Sequence, residues 1–142
     1  MPLHDPPVLY SVDLARCERL ASLNADEIVR TFAAALEGAG AHVVEAVSHS
    51  FPGAGLTSVF ILSESHAVLH TWPETGTVNV DIFSCSPRLK SLEVVDELKR
   101  LLGAGRVTIQ AISRADGHGP PSRRGARLRT RIPKEPSRRG AR

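Results

Sequence analysis

Long apolar runs are missing from this chain; none approaches the roughly 18 residues that cross a membrane. The opening residues, MPLHDPPVLY, lack the basic start and apolar stretch of a secretory leader. With neither span nor leader to read, the cytoplasm is the expected location. Cysteine is scarce, and the two present, Cys17 and Cys85, stand far apart. A disulfide between them is open, but two free thiols, one of them reactive, suit an intracellular protein better. Tryptophan occurs once, at Trp72.

Basic residues are sparse in the first part of the chain and crowded in the last. Residues 1–113 hold 8 Lys/Arg against 13 Asp/Glu, whereas residues 114–142 hold 10 against 2. The tail repeats SRRGAR at 122–127 and 137–142 and has almost no core-forming residues. It is expected to be disordered, because it buries too little apolar surface to offset chain entropy. A basic arm can touch nucleic acid, but no aromatic residue is interleaved with these arginines to favour that partner. A solvated extension is the plainer reading. Residues 1–113 form the one expected domain, with a modest core drawn from a chain that is 42% hydrophobic.

Within that domain, Val8 to Asp13 reads as a strand. Asn24-Ala25-Asp26-Glu27 opens a helix, with Asn24 as cap and Glu27 placed to complete a capping box. Ile28, Phe32, Ala35 and Leu36 mark its apolar face, and Gly38 and Gly40 end it. Strand patterns follow at 41–48, 56–62, 67–72 and 77–83, with Phe51-Pro52-Gly53-Ala54-Gly55 a loop and Pro73-Glu74-Thr75-Gly76 a turn. Leu92, Val95, Leu98 and Leu102 give a second helix, stopped by Gly103 and Gly105, and a last strand runs from Arg106 to Ser113. The order β-α-β-β-β-β-α-β predicts an α/β (α+β) fold. Its architecture is a two-layer sandwich, a mostly antiparallel sheet with two helices on one face. The bare face needs cover, and a homodimer is the simplest remedy.

The chemistry concentrates in LSESHAVLHTWPE, residues 62–74. On a strand His66, Val68, His70 and Trp72 share one face, and Ala67, Leu69 and Thr71 the other. The two histidines would lie about 13 Å apart, too far for one metal ion, and Ala67 stands where HExxH has glutamate. A hydrolase built on Ser65 lacks the glycines of a nucleophile elbow. His66 and His70 as hydrogen-bonded residues on a half-buried strand remain the bland alternative. Cys85 falls at the end of VNVDIFSC, either as a small buried hydrophobe or as a thiol able to donate a proton.

ESHAVLHTWPE followed by VDIFSC closely resembles the signature of the prokaryotic S-adenosylmethionine decarboxylase proenzymes, ESH-x-x-x-HTWPE and then VD-x-F-x-C. The likeness extends more weakly over residues 8–113, including Cys17, Phe51 and Gly55, and leaves out the tail. It implies that the chain cuts itself between Glu64 and Ser65, giving a β chain of 1–64 and an α chain from 65. Ser65 would become a covalently bound pyruvoyl group, with neither metal nor pyridoxal phosphate needed. That group would hold the substrate amine as a Schiff base while CO₂ leaves.

The same resemblance gives His70 the role of proton acceptor in processing and Cys85 that of proton donor in decarboxylation. Phe51, Trp72 and Glu74 would bind substrate, and the protein would be a homodimer of processed αβ protomers. The expected product is decarboxylated S-adenosylmethionine, the aminopropyl donor for spermidine. Where the family commonly reads G-V-S-G, this chain has Gly55-Leu56-Thr57-Ser58, so Thr57 replaces a serine that supports processing. The turn after HTWPE, Thr75-Gly76-Thr77, lacks the usual aromatics. Two alternatives stay open: the same pyruvoyl chemistry on arginine or ornithine, and a catalytically silent member serving as partner subunit or binding protein.

Overall fold

The computed structural model describes residues 6–85 and 89–115. In chain order these form β1 (Val8–Cys17), a short 3₁₀ turn (Leu20–Ser22), α1 (Ala25–Gly38), β2 (Val43–Ser50), β3 (Leu56–Leu62), β4 (Ser65–Trp72), β5 (Thr77–Ser84), α2 (Ser91–Leu102) and β6 (Ala104–Ser113). The expected order of elements is the observed one. All six strands join one antiparallel sheet, in the order β2-β3-β4-β5-β1-β6.

The capping box at α1 forms as its residues dictate. Asn24 Oδ1 accepts from the Glu27 N–H at 2.8 Å, and Glu27 Oε2 accepts from the Asn24 N–H at 3.2 Å. Ile28, Phe32 and Leu36 then point into the core, and Gly40, at φ 104°, turns the chain towards β2. In α2 the buried stripe is Val94, Val95, Leu98 and Leu102, with Ser91 at its start. Leu92, expected on that stripe, is 52% exposed, because Val94 and Val95 centre the helix face away from it. Only Gly103 stops the helix, in the left-handed region at φ 62°. Gly105 lies inside β6, where an added Cβ would stand 3.0 Å from the Arg16 Cβ.

Alternation decides which sheet face is covered. Val12 and Leu14 of β1, Leu56, Phe60 and Leu62 of β3, Ala67 and Leu69 of β4, and Val78, Val80 and Ile82 of β5 are buried beneath the helices. Phe32 of α1 meets Phe60 edge to face, ring centroids 4.9 Å apart, which locks helix to sheet. Helix α1 lies over β2 and β3, and α2 over β1 and β6. The opposite face has no helix among the described residues and exposes Val47, Val59, Ile61 and Ile112.

Strand β1 runs on to Cys17, beyond the expected Asp13, because β6 pairs along its whole length. Arg114, the first residue of the basic tail, donates its N–H to the Pro7 carbonyl and lies over the Phe83 ring at 5.8 Å. The tail beyond Ala115, expected to be disordered, lies outside the described residues. No helix of the described residues is long and apolar enough to cross a membrane.

Candidate active site

Strand β4 begins two residues earlier than its apolar pattern suggests, and this shift places Ser65. Ser63 and Glu64 form the tip of the β3–β4 hairpin, and Ser65 pairs with Leu62 on one side and Ser84 of β5 on the other. The Ser63 N–H donates to the His42 carbonyl at 3.0 Å, which ties the tip to the start of β2. Ser65 shares the parity of Ala67 and Leu69, so its side chain faces the helical layer. Its Oγ is buried and has no hydrogen-bond partner among the described residues. A cavity of about 230 Å³ opens there, lined by His42, Leu62, Glu64, Ser65, Ser84 and Leu89 among others.

His42 lies outside the motif, just ahead of β2, which starts at Val43 and not at 41 as expected. Its ring is exposed, and Nδ1 stands 3.8 Å from Glu37 Oε1, the oxygen that also accepts from the Val43 N–H at 2.9 Å. Proximity of His42 to Ser65 depends on where β2 starts relative to the β3–β4 tip, and no local pattern encodes that.

The residues of opposite parity build a second site on the open face. Thr57 and His70 are cross-strand partners, and Thr57 Oγ1 lies 2.9 Å from His70 Nδ1. They line a cavity of about 490 Å³ together with Phe51, Leu56, Trp72 and Glu74. The loop bearing Phe51 closes through its N–H, which donates to the Gly55 carbonyl at 2.7 Å. Gly53 at φ 89° and Ala54 at φ 71° supply the left-handed turn this closure needs. The Phe51 ring rests edge-on against His49, centroids 4.6 Å apart. Beneath the cavity, buried Thr71 Oγ1 accepts from the Leu56 N–H at 3.0 Å. Ser58, next to Thr57, turns inward, and its hydroxyl pairs with Ser48 at 2.7 Å.

The expected site residues thus separate into two groups. Phe51, Thr57, His70, Trp72 and Glu74 meet in one cavity, and Glu64 and Ser65 line another. Five residue steps along β4 separate Ser65 from His70, about 17 Å of strand, and the two point to opposite faces. Cys85 follows β5 directly, exposed, one residue past the Ser84 that pairs with Ser65. His66 faces the Phe83 ring at 5.4 Å. No cluster of three His, Cys, Asp or Glu suited to a metal ion occurs among the described residues.

Both cysteines are free thiols. Cys17 is buried, donates to the Leu14 carbonyl at 3.5 Å, and has its pKa pushed up by burial. Less of it is thiolate at neutral pH, and reactivity returns only as pH rises or the chain unfolds. Ellman's reagent at neutral pH should therefore modify one thiol quickly, Cys85, and Cys17 at least about tenfold more slowly. Two fast thiols would contradict this placement.

Both cavities fall inside residues 9–115, the segment matched by the family model described as S-adenosylmethionine decarboxylase. The chain belongs to the S-adenosylmethionine decarboxylase family. Relatives named S-adenosylmethionine decarboxylase proenzyme include one from Methanococcus maripaludis, 31% identical over 103 residues, 72% of this chain and 84% of that one. Another, from Prochlorococcus marinus, is 33% identical over 104 residues, covering 72% and 82%. A third, from Pelotomaculum thermopropionicum, reaches 40% identity over 81 residues, 57% of this chain and 64% of the relative. The crystal structure of the adenosylmethionine decarboxylase from Aquifex aeolicus shares the fold, with a TM-score of 0.67 at 24% identity. It covers 79% of this chain and 92% of that one. The family match runs two residues past β6 and leaves residues 116–142 outside it.

Proposed function

We propose that this protein is a self-processing decarboxylase that cuts its own chain between Glu64 and Ser65 and removes CO₂ from S-adenosylmethionine. The observation that carries the reading is the buried Ser65 hydroxyl, without a partner among the described residues and next in the chain to the Glu64 carbonyl at a hairpin tip. A hydroxyl with no bond to give up loses nothing when it attacks. Ser65 Oγ would form a bond to the Glu64 carbonyl carbon as the C–N bond breaks and the nitrogen takes up a proton, leaving an ester. Removal of the Ser65 α proton then expels the Glu64 carboxylate. Addition of water and loss of ammonia convert residue 65 to a pyruvoyl group. When formed, that group supplies a carbonyl for the substrate amine and a sink for the electron pair that CO₂ leaves behind.

The proton acceptor in this reading is His70. With Nδ1–H donating to Thr57 Oγ1, Nε2 is left bare to take the α proton. Within one protomer that nitrogen is about 17 Å of strand from Ser65. We therefore place the working site in a homodimer. A second copy covers the open face with its exposed Val47, Val59, Ile61 and Ile112 and brings its own Thr57 and His70 towards the first chain's hairpin tip. Cys85, exposed at the Ser65 end, is the thiol placed to return a proton after CO₂ loss.

The 490 Å³ cavity has the size of a small-molecule pocket and the chemistry for this substrate. Phe51 and Trp72 offer ring faces to a sulfonium or an adenine, and Glu74 offers a carboxylate to ribose hydroxyls. Located in the cytoplasm, such an enzyme would supply aminopropyl groups for spermidine. Intact-mass measurement of the purified protein, joined to CO₂ release from carboxyl-labelled substrates, tests the reading. The expected result is two chains divided at Ser65, with release from S-adenosylmethionine and not from arginine or ornithine. A chain that stays whole sinks the processing, and release from arginine alone sinks the substrate.

A further inference from the structure

Trp72 walls the larger cavity, yet its polar edge is engaged elsewhere. The indole Nε1–H donates to Asn79 Oδ1 at 2.6 Å, and Asn79 Nδ2 donates to Asp13 Oδ1 at 2.6 Å. Asn79 lies on β5 across from both His70 of β4 and Asp13 of β1, so the relay crosses three adjacent strands on the open face. Neither Asn79 nor Asp13 lines the cavity.

The order of groups in this relay is fixed by polarity. An indole N–H only donates and a carboxylate only accepts. A primary amide, carrying one acceptor and one donor group, can bridge them in a single orientation. Turning the Asn79 amide over would set its NH₂ against the indole N–H and its oxygen against the Asp13 carboxylate. Trp72 is 48% exposed and lies outside the packed core, so packing alone leaves its ring free to swing.

We infer that Asp13 and Asn79 are positioning residues that hold the Trp72 ring as a fixed wall of the substrate cavity. The inference rests on the reading of that cavity as the substrate site. With its N–H committed to Asn79, the indole presents only its π-face inward, which suits a flat base or an onium group better than a hydrogen-bonding chain. Phe51 gains a comparable restraint from His49, so both aromatic walls are held by side chains behind them.

Trp72 is the chain's only tryptophan, so intrinsic emission reports this ring alone. N79L removes both bonds of the relay and is expected to lower the anisotropy of Trp72 emission in the ligand-free protein. The KM for S-adenosylmethionine should rise about tenfold with kcat within about twofold, the pattern of lost binding. D13L should reproduce both changes, and D13N should restore them, since an amide oxygen still accepts from Asn79. The double variant D13L/N79L should be no worse than N79L alone.

Unchanged anisotropy in N79L overturns the inference, as does a freed ring with unchanged KM. A D13L protein like the wild type removes Asp13 from the relay. Circular dichroism of each variant establishes that the fold is kept. Anisotropy is read without substrate, so a wild-type protein inactive on S-adenosylmethionine would sink the substrate reading while the fixing of the ring is still decided.

Discussion

Ser65→Ala is expected to run on a denaturing gel as one uncut chain, where the wild type runs as residues 1–64 and 65–142. Release of CO₂ should fall by roughly 10⁴-fold or more, the scale of removing the nucleophile from a covalent catalyst. The fold should not suffer. Ser65 Oγ is buried and unpartnered among the described residues, so deleting it removes a desolvated polar atom and none of their hydrogen bonds. A melting temperature equal to or slightly above that of the wild type, with processing abolished, separates loss of chemistry from loss of structure. Cleavage of the alanine variant at the same bond would overturn the role of Ser65.

The second large effect concerns a mixture of two inactive proteins. His70→Ala and Ser65→Ala should each be unprocessed and silent alone. Unfolded together and refolded, about half of the dimers formed at random are mixed. In each of these the intact Ser65 of the His70→Ala chain faces the intact His70 of the other. One site per mixed dimer is then complete and its companion doubly defective, so activity should return to about a quarter of wild type. Only the chain carrying His70→Ala should be cut. If both groups served within one protomer, the mixture would stay silent. The roughly 17 Å of strand between them is the reason to expect recovery.

Much of this molecule can be read before any coordinate is known, where neighbours in space are neighbours in sequence. The Asn24–Glu27 capping box spans four residues and forms as written. The alternation in 66–72 puts His66 and His70 on one face, and the strand keeps them apart. Local reading weakens where a pattern has competing solutions. Leu92 fits the spacing of α2, but Val94 and Val95 shift the buried stripe, and Gly105 looks like a helix stop until β6 is seen to pass through it beside Arg16. It fails where register decides. That His42 reaches the Ser65 cavity, or that Asn79 catches the Trp72 indole, depends on how separate strands are aligned, and no window of sequence contains that alignment. The motif residues were legible as a group. Their division between two cavities was not, because parity along β4 matters only once the covered face is known.

The strand order has a further consequence for a chain cut at the β3–β4 tip. The first piece would carry β1, β2 and β3, and the second β4, β5 and β6, yet across the sheet they run β2-β3, then β4-β5, then β1, then β6. The pieces are dovetailed, with β1 gripped on both edges by strands of the other. Neither could leave, or hold its own sheet, without dismantling the whole. Before the cut the chain folds as a single body at any dilution; afterwards, recovery from unfolding requires two fragments to find each other. Maturation would thus leave the shape untouched while removing the tether that let the molecule assemble alone, so that the sheet survives as a record of a connection it no longer has.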